Sequence, residues 1–231
     1  MEPLYLLIAA GAFLVARKSP TAAGAPPTGG GGTPAPPPLP PSQRLAIIQS
    51  LWQNQIPGLD YVRYATFIGQ RESGSKYRPS HAGALKRGYP LGMNDHGYSG
   101  MYQMGAAALE THRYIKAGTC ARKGTGGNYK ILTTLENWTD RCPGGIEQFM
   151  NTPEIQERAM LEMTIGNYRG LKRNGVVTDA SPANVKAGFL SAAHLKGVGG
   201  AVALSKGNAT SDAYGTSTDT YYKGGSSSQL V

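Results

Sequence analysis

Two cysteines, Cys120 and Cys142, are all that this chain of 231 residues carries, and neither belongs to a C-x-x-C pair. That spacing argues against the usual zinc and dithiol redox motifs. Two arrangements stay open: separate reduced thiols, or one disulfide stapling a glycine-rich excursion. The four histidines, at 81, 96, 112 and 194, are scattered and form no His-Glu-x-x-His pattern, so neither a catalytic metal nor a cofactor is expected. Acidic residues are scarce, 14 against 23 Lys and Arg, which leaves a formal charge of +9. The excess implies an anionic partner, such as nucleic acid, cell wall or a membrane surface. Lys and Arg are dispersed, with no run of five or more and no finger, zipper or RNP pattern, which argues against nucleic acid. No apolar run reaches the roughly 20 residues of a full membrane span. Internal repeats are lacking and strand-like alternation is sparse, so a mainly α fold is expected.

What the chain does have is uneven along its length. Its 32 glycines and 16 prolines concentrate near the N-terminus. Residues 4–16 are uncharged and apolar, and Arg17-Lys18 follow. The run lacks a basic leading region and a small-x-small cleavage site, which favours a retained membrane anchor (residues 1–18) over a cleaved signal peptide. The basic pair would hold the bulk of the protein on the cytoplasmic side of the membrane it enters. Residues 19–42, rich in Pro and Gly, cannot bury a core and read as an extended tether of up to roughly 70 Å. From residue 43 to 223 the pattern is that of a folded domain, and 224–231 reads as a loose tail.

Within the domain, Ser42 can cap a helix holding Leu45, Ile48 and Leu51. Helical spacing also predicts helices over Leu59–Ser73, Gly105–Lys116 and Glu154–Tyr168, the last opened by Pro153. Two more follow, from Ser181-Pro182 through His194 and over Gly199–Lys206. Residues 74–99 hold many turn-forming residues and read as a long loop or small lobe, and 117–145 are glycine-rich and irregular.

Glu72 is the first candidate for chemistry. It stands at the polar end of an apolar helix, where burial can raise a carboxyl pKa toward neutrality and make it a general acid. The loop after it holds Tyr77, Tyr89, Asp95, His96 and Tyr98, a set that suits sugar stacking and hydroxyl recognition but also any solvated loop.

Three segments in order then carry a resemblance: Glu72-Ser73-Gly74, Gly100-Met101-Tyr102-Gln103 and Ala192-Ala193-His194. Together they resemble the soluble lytic transglycosylase family of lysozyme-like enzymes, which shows Glu-Ser, Gly-Leu-Met-Gln and Ala-Tyr-Asn in the same order. The stretches Ala193–Ala201 and Ser211–Ser217 look like phage-encoded members, and the resemblance covers roughly residues 43–223. It implies a lysozyme-like transglycosylase domain with irregular loops lining a glycan cleft. It also implies cleavage of the β-1,4 bond between N-acetylmuramic acid and N-acetylglucosamine in peptidoglycan, with a 1,6-anhydro product. Glu72 matches the sole catalytic carboxylate. Ser73, Met101, Tyr102 and Gln103 match substrate-binding positions, and His194 falls where the family has Asn. A family tyrosine is replaced by Ala193. Tyr221, or its neighbour Tyr222, matches a second tyrosine that would hydrogen-bond Glu72. If Asp95 enters the cleft it would position water and give lysozyme-type hydrolysis instead. Expected partners are peptidoglycan strands, a membrane through residues 4–16 and other virion proteins, with no nucleic acid. The expected location is a virion membrane, with the host envelope as the alternative. A non-catalytic peptidoglycan-binding protein is the rival from another class.

Overall fold

Apolar residues recurring every three or four positions become helices, and the computed structural model is mainly helical. It describes residues 40–230, apart from 53, 123, 125, 126 and 213. The anchor expected at 4–16, and the linker as far as residue 39, lie outside the described residues. Among the described residues the order is α1 Pro41–Leu51, α2 Tyr61–Ser73, α3 Ala82–Lys86, α4 Ala106–Thr111, α5 Asn128–Thr133, α6 Gly145–Asn151, α7 Pro153–Arg173, α8 Ala183–Ser205 and α9 Thr218–Ser227. A single 3-10 turn, Leu135–Asn137, lies between α5 and α6, and β structure among these residues is limited to isolated bridges.

α7 is the axis of the domain. Pro153 occupies its first turn, where a missing N–H costs nothing, and its sides pack against α1, α6 and α8. Met160, Leu171, Ile48, Ile68, Leu109 and Leu190 meet in one core with almost no exposed surface. Each such side chain contributes roughly 1.5–3 kcal/mol by leaving water.

α2 carries the candidate acid. Asp60 caps its start, accepting from Arg63 N at 3.0 Å. One stripe, Tyr61, Tyr64, Ala65, Ile68 and Gly69, is buried. Gly74, at φ +64°, ends the helix in the left-handed conformation and returns its N–H to Gln70 O. Glu72 is thereby fixed in the last turn.

The two late helices expected from the sequence run as one element, α8, kinked where Lys196 and Gly197 leave helical geometry. By length and composition α8 could cross a membrane. Here Ala187, Leu190, Ala192, Ala193 and Ala201 are buried in the protein core instead. α9 packs closely on α8 and reaches α2, so Tyr221 arrives beside Glu72.

Several sequence expectations need correction. The expected loop or small lobe at 74–99 contains α3, and the expected irregular stretch at 117–145 contains α5. The helix expected from Gly105 to Lys116 stops at Thr111, because Arg113 takes φ +61°. Pro40, not Ser42, precedes the first turn of α1. The tail is not loose: α9 continues through Ser227, and the Gln229 side chain bonds both Asp60 N (2.9 Å) and Asp60 O (3.1 Å). Cys120 and Cys142 are separate thiols.

Candidate active site

The Glu72 side chain retains 17% of its accessible surface. Loss of water is the main reason its carboxyl is pushed up to about 7, and the charge of Asp212 adds to the effect. Two influences oppose this: a hydrogen bond from the Tyr221 hydroxyl and the positive charge of Arg71. Tyr221 is itself buried beside that carboxyl, which raises its own pKa and keeps it a donor. His194 Nε2 lies 3.5 Å from the same Glu72 oxygen. Burial lowers the His194 pKa to about 4, so at neutral pH the contact is not an ion pair. His194 Nε2 is also 3.1 Å from Tyr102 O. A carbonyl only accepts, so Nε2 carries the proton and buried Nδ1 is left as an unpartnered acceptor.

The segment after Gly100 is clamped from behind by α7. Met101 N donates to Gln156 Oε1 at 2.7 Å, and Gln156 Nε2 donates to Phe149 O and Tyr77 O. A side chain at Gly100 would collide with the Gln156 amide, so the close approach requires glycine. The next α7 residue, Glu157, is 1% exposed and accepts from Tyr102 OH (2.6 Å), Tyr77 OH (2.6 Å) and Arg44 Nε (3.0 Å). These fixed points hold Gln103 at φ +46°, a conformation that costs a non-glycine residue roughly 1–3 kcal/mol. Gln103 Nε2 donates to Gly100 O at 2.8 Å, while its buried Oε1 has no partner.

Two adjoining cavities, of about 1260 and 380 Å³, share Glu72, Asn94, Gln103, Asp212 and Tyr214. Glu72 therefore stands where they meet, as an acid must if it is to act on a bond between two bound units. The larger cavity runs along the second stripe of α2, with Val62, Arg63, Thr66, Phe67, Gln70 and Arg71 on its wall. The smaller one holds His96, Tyr98, Asn128 and His194. His96 and Tyr214 meet edge to face at 4.7 Å, which ties the loop after α3 to the loop before α9.

No protein-family model, curated protein or solved structure matches this chain.

The structure brings Glu72, Gln103, His194, Tyr221 and Asp95 to the cavity walls. Between the two tyrosines offered for the Glu72 bond, it selects Tyr221; Tyr222 packs edge to face on Phe189. Three expected substrate-binding residues are placed elsewhere. The Ser73 hydroxyl closes the helix end, donating to Gly69 O and accepting from Lys76 N. Met101 is fully buried against α2, where a Cβ at Gly69 would come within 2.9 Å of Met101 Cε. Tyr102 turns inward to Glu157 and Arg44. The two side chains between Gly100 and Gln103 thus serve as roots for the segment.

Asp212, Tyr214, Gln156 and Glu157 escaped the sequence reading. For the α7 pair a signal was present. Gln156 and Glu157 occupy an otherwise apolar face one turn before Met160 and Leu161, and polar groups on such a face need buried partners. Asp212 and Tyr214 lie in the stretch Ser211–Ser217 that carried part of the resemblance, but nothing there pointed to the cavity.

Proposed function

We propose that this chain is a peptidoglycan lytic transglycosylase with a lysozyme-like fold. It would cleave the bond between N-acetylmuramic acid and N-acetylglucosamine and close a 1,6-anhydro ring. The observation that carries this reading is the half-dry Glu72 at the junction of two cavities, with a pKa raised to about 7 by burial. Near neutrality such a group is populated in both protonation states, as one residue acting first as acid and then as base requires. The resemblance of three ordered segments to those of the soluble lytic transglycosylases adds to it, although Ala193 and His194 depart from the third.

The steps follow from one carboxyl. Protonated Glu72 gives its proton to the glycosidic oxygen as the C1–O bond breaks. The neighbouring acetamido carbonyl oxygen bonds to C1 and holds the positive charge. Ionised Glu72 then takes the proton from the C6 hydroxyl, whose oxygen attacks C1 and releases the acetamide. Glu72 ends protonated, no water is consumed, and a second carboxylate is unnecessary. Tyr221 holds the carboxyl in place, and Gln103 and His194 line the cavity walls beside it. With the anchor at 4–16, the enzyme would work tethered to a virion membrane and open the host wall locally. The host envelope is the alternative location.

One observation favours a second reading, lysozyme-type hydrolysis. Asp95 lines the larger cavity, and its buried Oδ1 lacks a partner. The mass of the released muropeptides separates the two. Products one water lighter than hydrolytic fragments, abolished in Glu72→Gln, support the transglycosylase. Ordinary reducing ends give the hydrolase, and a folded protein that binds cell wall without clearing it in zymography would sink both.

A further inference from the structure

Arg71 stands beside the acid, yet its role in the proposed reaction is undefined. Its guanidinium sits 4.7 Å over the Tyr221 ring, which fixes its direction through a cation–π contact. It is exposed, lines the larger cavity, and forms no ion pair with a carboxylate among the described residues. Two turns earlier on the same stripe is Arg63, whose one ion pair among the described residues is with exposed Asp60 at 3.2 Å. Before Glu72, α2 contains no acidic residue, so its cavity-facing stripe is cationic. Apart from Glu72, the acids of this cavity, Asp95 and Asp212, come from elsewhere in the chain. Asp95 is packed against Gly83, and the Asp212 carboxylate accepts from Tyr214 N and Thr216 N within its own loop. A basic residue in a last turn also complements the helix dipole, but that alone requires neither a cavity wall nor an aromatic ring to hold the guanidinium.

We propose that Arg71 is a specificity residue that binds a carboxylate carried by the muramic unit of the strand. A guanidinium offers a planar fork of donors matched to a carboxylate, and the Tyr221 ring holds that fork before the ligand arrives. In peptidoglycan only the muramic sugar bears a lactyl arm, and it displays a carboxylate in either of two forms. The arm ends in a free carboxylate when bare, or extends into a peptide stem that carries its own. A neutral chitin chain offers neither. Arg71 would therefore distinguish cell-wall glycan from an uncharged polymer with the same backbone. This rests on the proposed function, since it takes the cavity as the glycan site.

The test measures binding to the full chain carrying Glu72→Gln, so that Arg71 cannot act through the ionisation of Glu72. Three probes are used: stem-bearing glycan strands, strands stripped by an amidase to free lactyl carboxylates, and a chito-oligosaccharide. Adding Arg71→Gln should weaken one or both anionic probes about tenfold, an effect that shrinks with salt, and leave the chito-oligosaccharide unchanged. Loss confined to stemmed strands assigns the carboxylate to the peptide; loss confined to stripped strands assigns it to the lactyl arm. Arg71→Lys should recover part of the affinity. Equal weakening of all three probes, or of none, overturns the proposal. Failure of the Glu72→Gln parent to bind any strand overturns the proposed function itself.

Discussion

Two glutamates with opposite surroundings, Glu157 buried and Glu72 half-dry, explain how this domain is arranged. Glu157 is enclosed by Arg44, Tyr77 and Tyr102, a cation and two hydroxyls that together satisfy both carboxylate oxygens. Glu72 has one firm donor, Tyr221, and beside it a neutral histidine whose Nε2 proton lies within 3.1 Å of a carbonyl. The first carboxylate is built into the frame. The second is left under-compensated, so that burial raises its pKa to about 7. The difference shows how one fold can use the same side chain as a structural brace and as a proton carrier: what matters is how many donors meet it once water has gone.

The comparison breaks most readily in activity. Glu72→Gln should keep its fold and lose about a thousandfold in the rate of muropeptide release, the range expected for a general acid–base group. A variant that clears cell wall at the wild-type rate would end the assignment. Glu157 should fail differently. Glu157→Ala leaves Arg44 and two hydroxyls without their acceptor, costing about 3–5 kcal/mol, and thermal unfolding should begin roughly 10 °C lower. If Glu157→Ala instead removes activity with no change in melting, the brace has been misread.

Stability against pH sharpens the contrast. Between about 4.5 and 7 the folded state keeps a proton on Glu72 that the unfolded chain has lost, so stability falls as pH rises. His194 works the other way: between about 4 and 6.5 the unfolded chain takes up a proton that the folded state refuses, so stability rises with pH. Each effect is worth about 3 kcal/mol, and over their shared window they offset one another. Denaturant titration of Glu72→Gln should therefore expose the His194 rise, with a variant more stable than wild type above pH 7. His194→Asn should expose the Glu72 fall. Flat profiles in both variants would contradict the two shifts.

The smallest expected effect is that of Tyr221→Phe. Its hydroxyl favours the ionised carboxyl, so removing it moves the Glu72 pKa further up. The alkaline limb of the rate profile should shift to higher pH, with kcat down about tenfold. A limb that stays in place would mean that another group sets it.

How far the sequence could reach is clear from particular residues. Spacing placed α2 and α7 within a few residues, because amphipathic periodicity is a local property. It also placed Glu72 at a polar helix end and put Gln103 in a candidate binding segment. It did not show where Ser73, Met101 and Tyr102 turn, since a motif fixes order along the chain and not the direction of a side chain. Ser73 was captured by its own helix end, and Tyr102 by a carboxylate 55 residues away.

By itself, then, the sequence determined a mainly helical domain behind an apolar N-terminal run and a Pro/Gly-rich linker, with one acid at the end of an apolar helix. Only the tertiary structure decided that this acid would be half-dry, bonded to a tyrosine 149 residues away and set between two cavities. The reason is physical. Helix formation depends on neighbours three or four positions apart, whereas a pKa depends on lost water and on every charge and donor that folding brings near.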